Sequence, residues 1–211
     1  MSRTITRLFD SFPDAERAVA ELERLGVPHT DISLVGNNVD QTHDHRGAYG
    51  ASDNDAKADR TAADARKGAT TGGLLGAGGG LLAGLGLLAI PGVGPVVAAG
   101  WLVSTAVGAA IGTAAGGASG GLIGALKGAG ETEGNAEVYA EGVRRGSTLV
   151  SAKVDNALAD RAAAALAGLR AVDATTRGSV YRQSGWSKFD TNAPAYTSDQ
   201  VMRERSLYTA R

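Results

Sequence analysis

A small residue returns at every fourth position across two stretches of this chain, and no other feature restricts its packing so strongly. The stretches are Gly68, Gly72, Gly76, Gly80 and Gly84, followed by Gly100, Ser104, Gly108, Gly112, Gly116, Gly120, Gly124 and Gly128. Each glycine in a helix interior costs roughly 1 kcal/mol relative to alanine, so such a stripe is kept where close backbone approach between helices returns more. Helices in a bilayer use this device most, because apolar surface alone gives them no reason to associate there.

Between Lys67 and Lys127 the chain has no Asp, Glu, Lys, Arg or His. Pro91, Gly92, Gly94 and Pro95 interrupt that span; the prolines remove amide donors and the glycines admit positive φ. The pattern predicts a glycine-zipper helical hairpin with arms at residues 69–90 and 96–127. At 1.5 Å per residue the arms measure about 33 and about 48 Å, against a hydrocarbon layer of about 30 Å. Residues 116–128 are too weakly apolar for lipid alone and are expected to pack on protein. Arg60, Arg66 and Lys67 precede the span and Lys127 follows it, so the positive-inside bias puts both hairpin ends in the cytoplasm. The alternative is a cytoplasmic protein whose hairpins pack into the core of a soluble assembly. The first ten residues hold no apolar run of signal-peptide length, so export of the N-terminal part is not expected.

The remainder reads as a small α+β domain cut in two. Residues 4–9 form a β-prone run, after which Ser11 caps a helix opening at Pro13 and Asp14. Ala15, Ala18, Val19, Leu22 and Leu25 recur at helical spacing, Gly26 ends the segment, and residues 31–35 follow as a strand. The order repeats after the insertion: a strand at 147–154, a helix at 156–169 with Leu158, Ala162, Ala165, Leu166 and Leu169 inward, and a last strand at 171–175. Neither half has enough core alone; together they make a ferredoxin-like split βαβ sandwich. The resulting division is 1–36 for the first half, 37–67 for a polar linker, 68–130 for the hairpin, 131–177 for the second half and 178–211 for a tail. Residues 131–146 lead back into the domain as a short amphipathic helix.

Four stretches carry a family resemblance: residues 5–26 (ITRLFDSFPDAERAVAELERLG), 31–36 (DISLVG), 87–100 (LLAIPGVGPVVAAG) and 139–150 (YAEGVRRGSTLV). In combination they resemble the general stress proteins containing a YflT-like domain, over most of residues 4–176. The resemblance implies stress-linked expression in bacteria and hence an inner-membrane location for the hairpin. It implies no established catalytic activity and carries over no catalytic residue.

Few residues suggest chemistry. His43, Asp44 and His45, with Asp40 nearby, have the donor types for Zn²⁺ or Cu²⁺, but a hydrophilic loop explains them equally well, and no metal site is assigned. The glycines form no phosphate-binding loop, and neither a cofactor nor a catalytic site is assigned. Arg144 and Arg145 offer charge to lipid phosphates or another anion; as cations at a helix end they are expected to be solvated. With 21 basic and 22 acidic residues the chain has no general pull toward nucleic acid. The tail holds Tyr181, Trp186, Phe189, Tyr196 and Tyr208, half of the ten aromatics, and is expected to lie on another surface with these as anchors. Thr197 and Gln200 fit a capping box for a terminal helix at 199–208. The reading that unites these features is a non-enzymatic, stress-associated membrane protein, a homo-oligomer in the lipid bilayer with a structural or membrane-modulating role. A soluble self-assembling protein and a ligand-sensing ferredoxin-like module coupled to the hairpin stand beside it; the sequence identifies no small-molecule ligand.

Overall fold

Four strands each carry two consecutive apolar residues, and that doubling decides the architecture. Strand β1 is Ser2–Phe9, β2 Ile32–Asn37, β3 Gly86–Ile90, β4 Gly94–Gly100 and β5 Thr148–Asp155. In the computed structural model, which describes residues 2–41, 86–90, 92–103, 105 and 121–209, they form one antiparallel sheet in the order β1-β5-β2-β4-β3. Successive side chains on a strand face opposite ways. Phe9, Leu34, Val97 and Val150 therefore enter one core while Leu8, Val35, Val96 and Leu149 enter a second on the other face. Both faces are buried, so helices must cover both.

The first face is covered by α1 (Phe12–Arg24) and by the helix Asn156–Gly168. Ser11 caps α1 by accepting from the Asp14 amide at 3.2 Å, and Gly26, at φ 94°, turns the chain out of it. Phe12, Ala15, Ala18, Val19 and Leu22 are the buried stripe of α1, answered by Ala159, Ala162 and Leu166 across the layer.

The second face is covered by α2 (Leu122–Gly128), α3 (Glu133–Arg144) and α5 (Ala174–Gln183); Asn156–Gly168 is accordingly α4, and α6 is Ser198–Thr209. Leu122, Leu126, Ala136, Tyr139, Val143 and Tyr181 fill this core. The arrangement therefore has three layers where a two-layer sandwich was expected.

The helical hairpin needs correction where it is described. Residues 86–90 and 94–100 are strands, so Gly92 lies in the turn of a β-hairpin, Gly94 begins β4 and Pro95 is its second residue. The cause is local: Gly92, Gly94 and Gly100 take φ of 74°, 104° and 92°, outside the right-handed helix, and the Val96–Val97 pair suits a strand buried on both sides. Gly100 is required by close approach, but not between helices. A Cβ there would stand 2.1 Å from the Ile32 carbonyl oxygen and 2.7 Å from Ser33 Cα, in the β2–β4 pairing. Gly124 and Gly128 lie on α2, where a Cβ at either position would meet nothing within 4 Å, so neither marks a tight helix contact. Gly68, Gly72, Gly76, Gly80, Gly84, Pro91, Ser104, Gly108, Gly112, Gly116 and Gly120 lie outside the described residues, as do His43, Asp44 and His45.

The last expected strand shrinks to one residue. Val172 exchanges backbone hydrogen bonds of 2.8 and 2.9 Å with Leu8 on the free side of β1. Asp173 then accepts from the Thr176 amide at 2.7 Å and starts α5, so the helix cap stops the strand.

Candidate functional site

Helix α3 ends on Arg144, and with the neighbouring Arg145 it shares the carboxylate of Glu141, one turn earlier and 1 % exposed. Arg145 Nε donates to Glu141 Oε1 at 2.6 Å, and Arg144 Nη1 lies 3.6 Å from Glu141 Oε2. These arginines were expected to be solvated. Their side chains are only 14 % and 12 % exposed, because a buried glutamate and the tail enclose them.

Helix α5 places Arg177 and Tyr181 one turn apart and sends both inward. Arg177 Nη2 reaches both oxygens of Asp10, at 2.7 and 2.6 Å, and Ser147 Oγ donates to the same carboxylate at 3.2 Å. The tail's tyrosines then lie against these cations. Arg145 sits 4.5 Å from the Tyr181 ring centre and 5.9 Å from that of Tyr196, Arg144 4.9 Å from Tyr196, and Arg177 4.1 Å from Tyr208. A planar, weakly hydrated guanidinium stacks on a ring in a way that an ammonium does not reproduce. Trp186 closes one end, edge-on to Tyr181 at 5.9 Å.

Beyond Trp186 the tail crosses the β3–β4 turn. Phe189 is buried in the second core; a Cβ on Gly92 would come within 2.9 Å of Thr191 Cα, and one on Gly94 within 2.8 Å of Ala195 Cβ. The glycines expected to turn a helical hairpin thus form the seat of the tail. Thr197 and Gln200 make the capping box, at 2.9 and 3.3 Å, and α6 follows. Val201 packs over Gly146, where a Cβ would meet Val201 Cγ1 at 2.5 Å. Arg205 pairs with Asp40 at 2.6 Å and donates to the Gly146 carbonyl at 2.8 Å. All five tail aromatics therefore contact this chain's own domain.

Family models, curated proteins and solved structures offer no match to this chain. The seam must be read from its own chemistry. Burial pushes the Tyr181 phenol far up and raises Tyr208 as well. Burial alone would lower Arg145, but its hydrogen bond to Glu141 and the charge of that carboxylate outweigh this and raise it. Near neutral pH the Tyr181 and Tyr208 phenols are therefore neutral and Arg145 is charged.

One irregularity marks the seam. Glu141 Oε2, Arg144 Nε, Arg177 Nε and Nη1, Tyr181 Oη and Trp186 Nε1 are buried without a hydrogen-bond partner, and among the described residues every such side-chain atom lies in this seam. The tail aromatics stand out in the sequence, and Arg144 and Arg145 stand out as charges, but nothing there pairs the two sets. The i,i+4 pair Arg177–Tyr181, directly before the aromatic tail, is the signal that was present.

Proposed function

We propose that the chain is a non-enzymatic, stress-associated assembly protein in which a ferredoxin-like module carries an uncharged, small-residue-rich insertion that joins copies of the chain. Strand order supports the module: with Val172 standing for the fourth strand, the two βαβ halves interleave as fourth, first, third and second, and the β3–β4 hairpin extends the outer edge. The association with stress rests on the family resemblance of the four stretches quoted above.

One observation favours protein partners for the insertion. Val93, Val96, Val97, Ala98, Ala99, Leu102, Leu122, Ala125 and Leu126 all belong to the uncharged span and are at most 4 % exposed within the protein. Those nine residues are matched to protein surface, while Leu87 of the same span is 55 % exposed; on this proposal the uncharged stretches 68–85 and 104–120 are what joins copies of the chain.

A membrane-inserted assembly is the second reading, supported by the lengths of those stretches, which approach the roughly 20 apolar residues of a crossing. Among the described residues no helix is long and apolar enough to cross a membrane.

Washing a membrane fraction at alkaline pH and sizing the detergent-free protein by light scattering separates the two. The assembly reading expects release by the wash, a particle larger than a monomer, and a smaller one when Gly108, Gly112 and Gly116 are replaced by leucine. Retention in the washed membranes moves the function to the bilayer, and a monomer without detergent removes assembly through protein contacts.

A further inference from the structure

We propose that residues 186–209 are a releasable strap, and that the seat it uncovers over the β3–β4 turn receives the strap of a second copy; the second half rests on the assembly reading above. Apart from Phe189, which is buried in the second core, the strap's hold is shallow: among the described residues of α6 only Val201 is fully buried, while Met202 and Leu207 are 53 % and 60 % exposed. Most of the remaining contacts are polar: Arg205 with Asp40, Arg205 with the Gly146 carbonyl, Glu204 with Arg145 at 3.5 Å, and Ser198 Oγ donating to the Val39 carbonyl at 3.1 Å. Ion pairs of this partly exposed kind weaken in salt.

An independent observation points to the same boundary. The buried atoms without partners belong to Glu141, Arg144, Arg177, Tyr181 and Trp186, which line the seam between the domain and the strap. A buried polar group left unpaired is costly, and water admitted by opening would satisfy it. Opening here therefore recovers part of what it loses, and segments of this sort leave the native structure first.

Lifting the strap would bare an apolar surface. Val93 and Val96 are 1 % and 0 % exposed in the same cluster as Phe189. The seat also has a defined occupant, since Gly92 and Gly94 lack the Cβ atoms that would collide with Thr191 and Ala195. A surface shaped for residues 189–195 accepts that segment equally well from another copy, and reciprocal exchange produces a twofold pair. Gly185, at φ 89°, supplies a turn between α5 and the strap at which the path can diverge.

The test uses the full chain, wild type and Arg205→Ala, with amide hydrogen exchange over residues 201–208 of α6, a helix too short to persist once undocked, and particle size by light scattering. Release predicts exchange about tenfold faster in the variant, and strap exchange predicts that dimer isolated by size re-equilibrates with monomer about tenfold faster in the variant, at a similar final dimer fraction because each docked strap makes the same contacts in either form. Should Arg205→Ala fail to fold, wild type in about 0.5 M salt, which screens Arg205–Asp40 and Arg145–Glu204, gives the same two readings. Unchanged protection in both overturns the releasable strap. Faster amide exchange with an unchanged rate of dimer re-equilibration, in a wild type that assembles, overturns strap exchange while the assembly reading stands. Faster exchange with monomers throughout removes the assembly reading, and strap exchange with it.

Discussion

On one face of the sheet, α1 and α4 lay Phe12, Val19, Leu22 and Leu166 against Phe9, Leu34, Val97 and Val150, and no charged side chain enters the cluster. On the other, the strap and helices α3 and α5 bring Glu141, Arg177 and Tyr181 to nearly the same depth, with six polar atoms unpaired. Apolar packing loses its full worth whenever a side chain is cut back, whereas a polar seam loses or gains according to whether each group has a partner. The first face should therefore carry the stability of the module, and the second should decide how its attached parts move.

The hardest way to break that comparison is to cut equal-depth side chains on the two sides. Leu22→Ala, at a site with no exposure, should cost about 2–5 kcal/mol in denaturant unfolding. Val201→Ala, equally buried but on the strap, should cost only about 1–2 kcal/mol, two methyl groups' worth. It should speed exchange along α6 more than it shifts the global transition. Equal global losses would show that the strap belongs to the same cooperative unit as α1.

Alkaline titration sharpens the contrast. Tyr139, on α3, donates its hydroxyl to the Thr6 carbonyl at 2.8 Å, and burial, followed by the Glu131 charge, pushes its pKa up to about 12. An unfolded tyrosine titrates near 10, so the unfolded chain loses this proton first. The stabilisation is complete below about pH 10 and disappears as pH rises through about 12, a loss of about 2–3 kcal/mol. Tyr139→Phe should flatten that alkaline fall in denaturant midpoint. If the fall is as steep in the variant, the Tyr139 phenol is not what drives it.

How far the sequence reveals this structure also differs between the two faces. Helix α1 is legible from Ser11, the spacing of its apolar residues and Gly26, because capping and 3.6-residue periodicity are local properties. The doubled pairs Leu8–Phe9, Leu34–Val35, Val96–Val97 and Leu149–Val150 announce a sheet buried on both faces, but a long uncharged span draws attention to lipid instead. Fourfold glycine spacing misleads for a physical reason. Gly100 falls on the helical stripe, yet its positive φ and the nearby Ile32 carbonyl show that glycine is demanded by strand geometry. The tail aromatics are visible as anchors, whereas their docking on Arg144, Arg145 and Arg177 depends on contacts between distant parts of the chain, which no local pattern records.

The smallest expected effect tests whether the second face is unsatisfied or hydrated. The Tyr181 hydroxyl is buried with no hydrogen-bond partner, while the Tyr139 hydroxyl both donates to Thr6 and accepts from the Ala174 amide at 3.3 Å. Removing a bonded hydroxyl leaves its former partners wanting, and Tyr139→Phe should cost about 1 kcal/mol at neutral pH. Removing an unbonded one relieves a desolvation cost, so Tyr181→Phe should leave stability unchanged or raise it by up to about 1 kcal/mol. Its ring, and with it the stacking on Arg145, is retained. The strap should also hold more tightly, because the closed seam gains while the opened one, in water, loses a hydrated hydroxyl. Denaturant midpoints for the two variants, measured together with exchange over residues 201–208, decide the matter. A loss of more than about 1 kcal/mol in Tyr181→Phe would mean that ordered water already completes the seam, and the strap would then be held by a satisfied network with no reason to open.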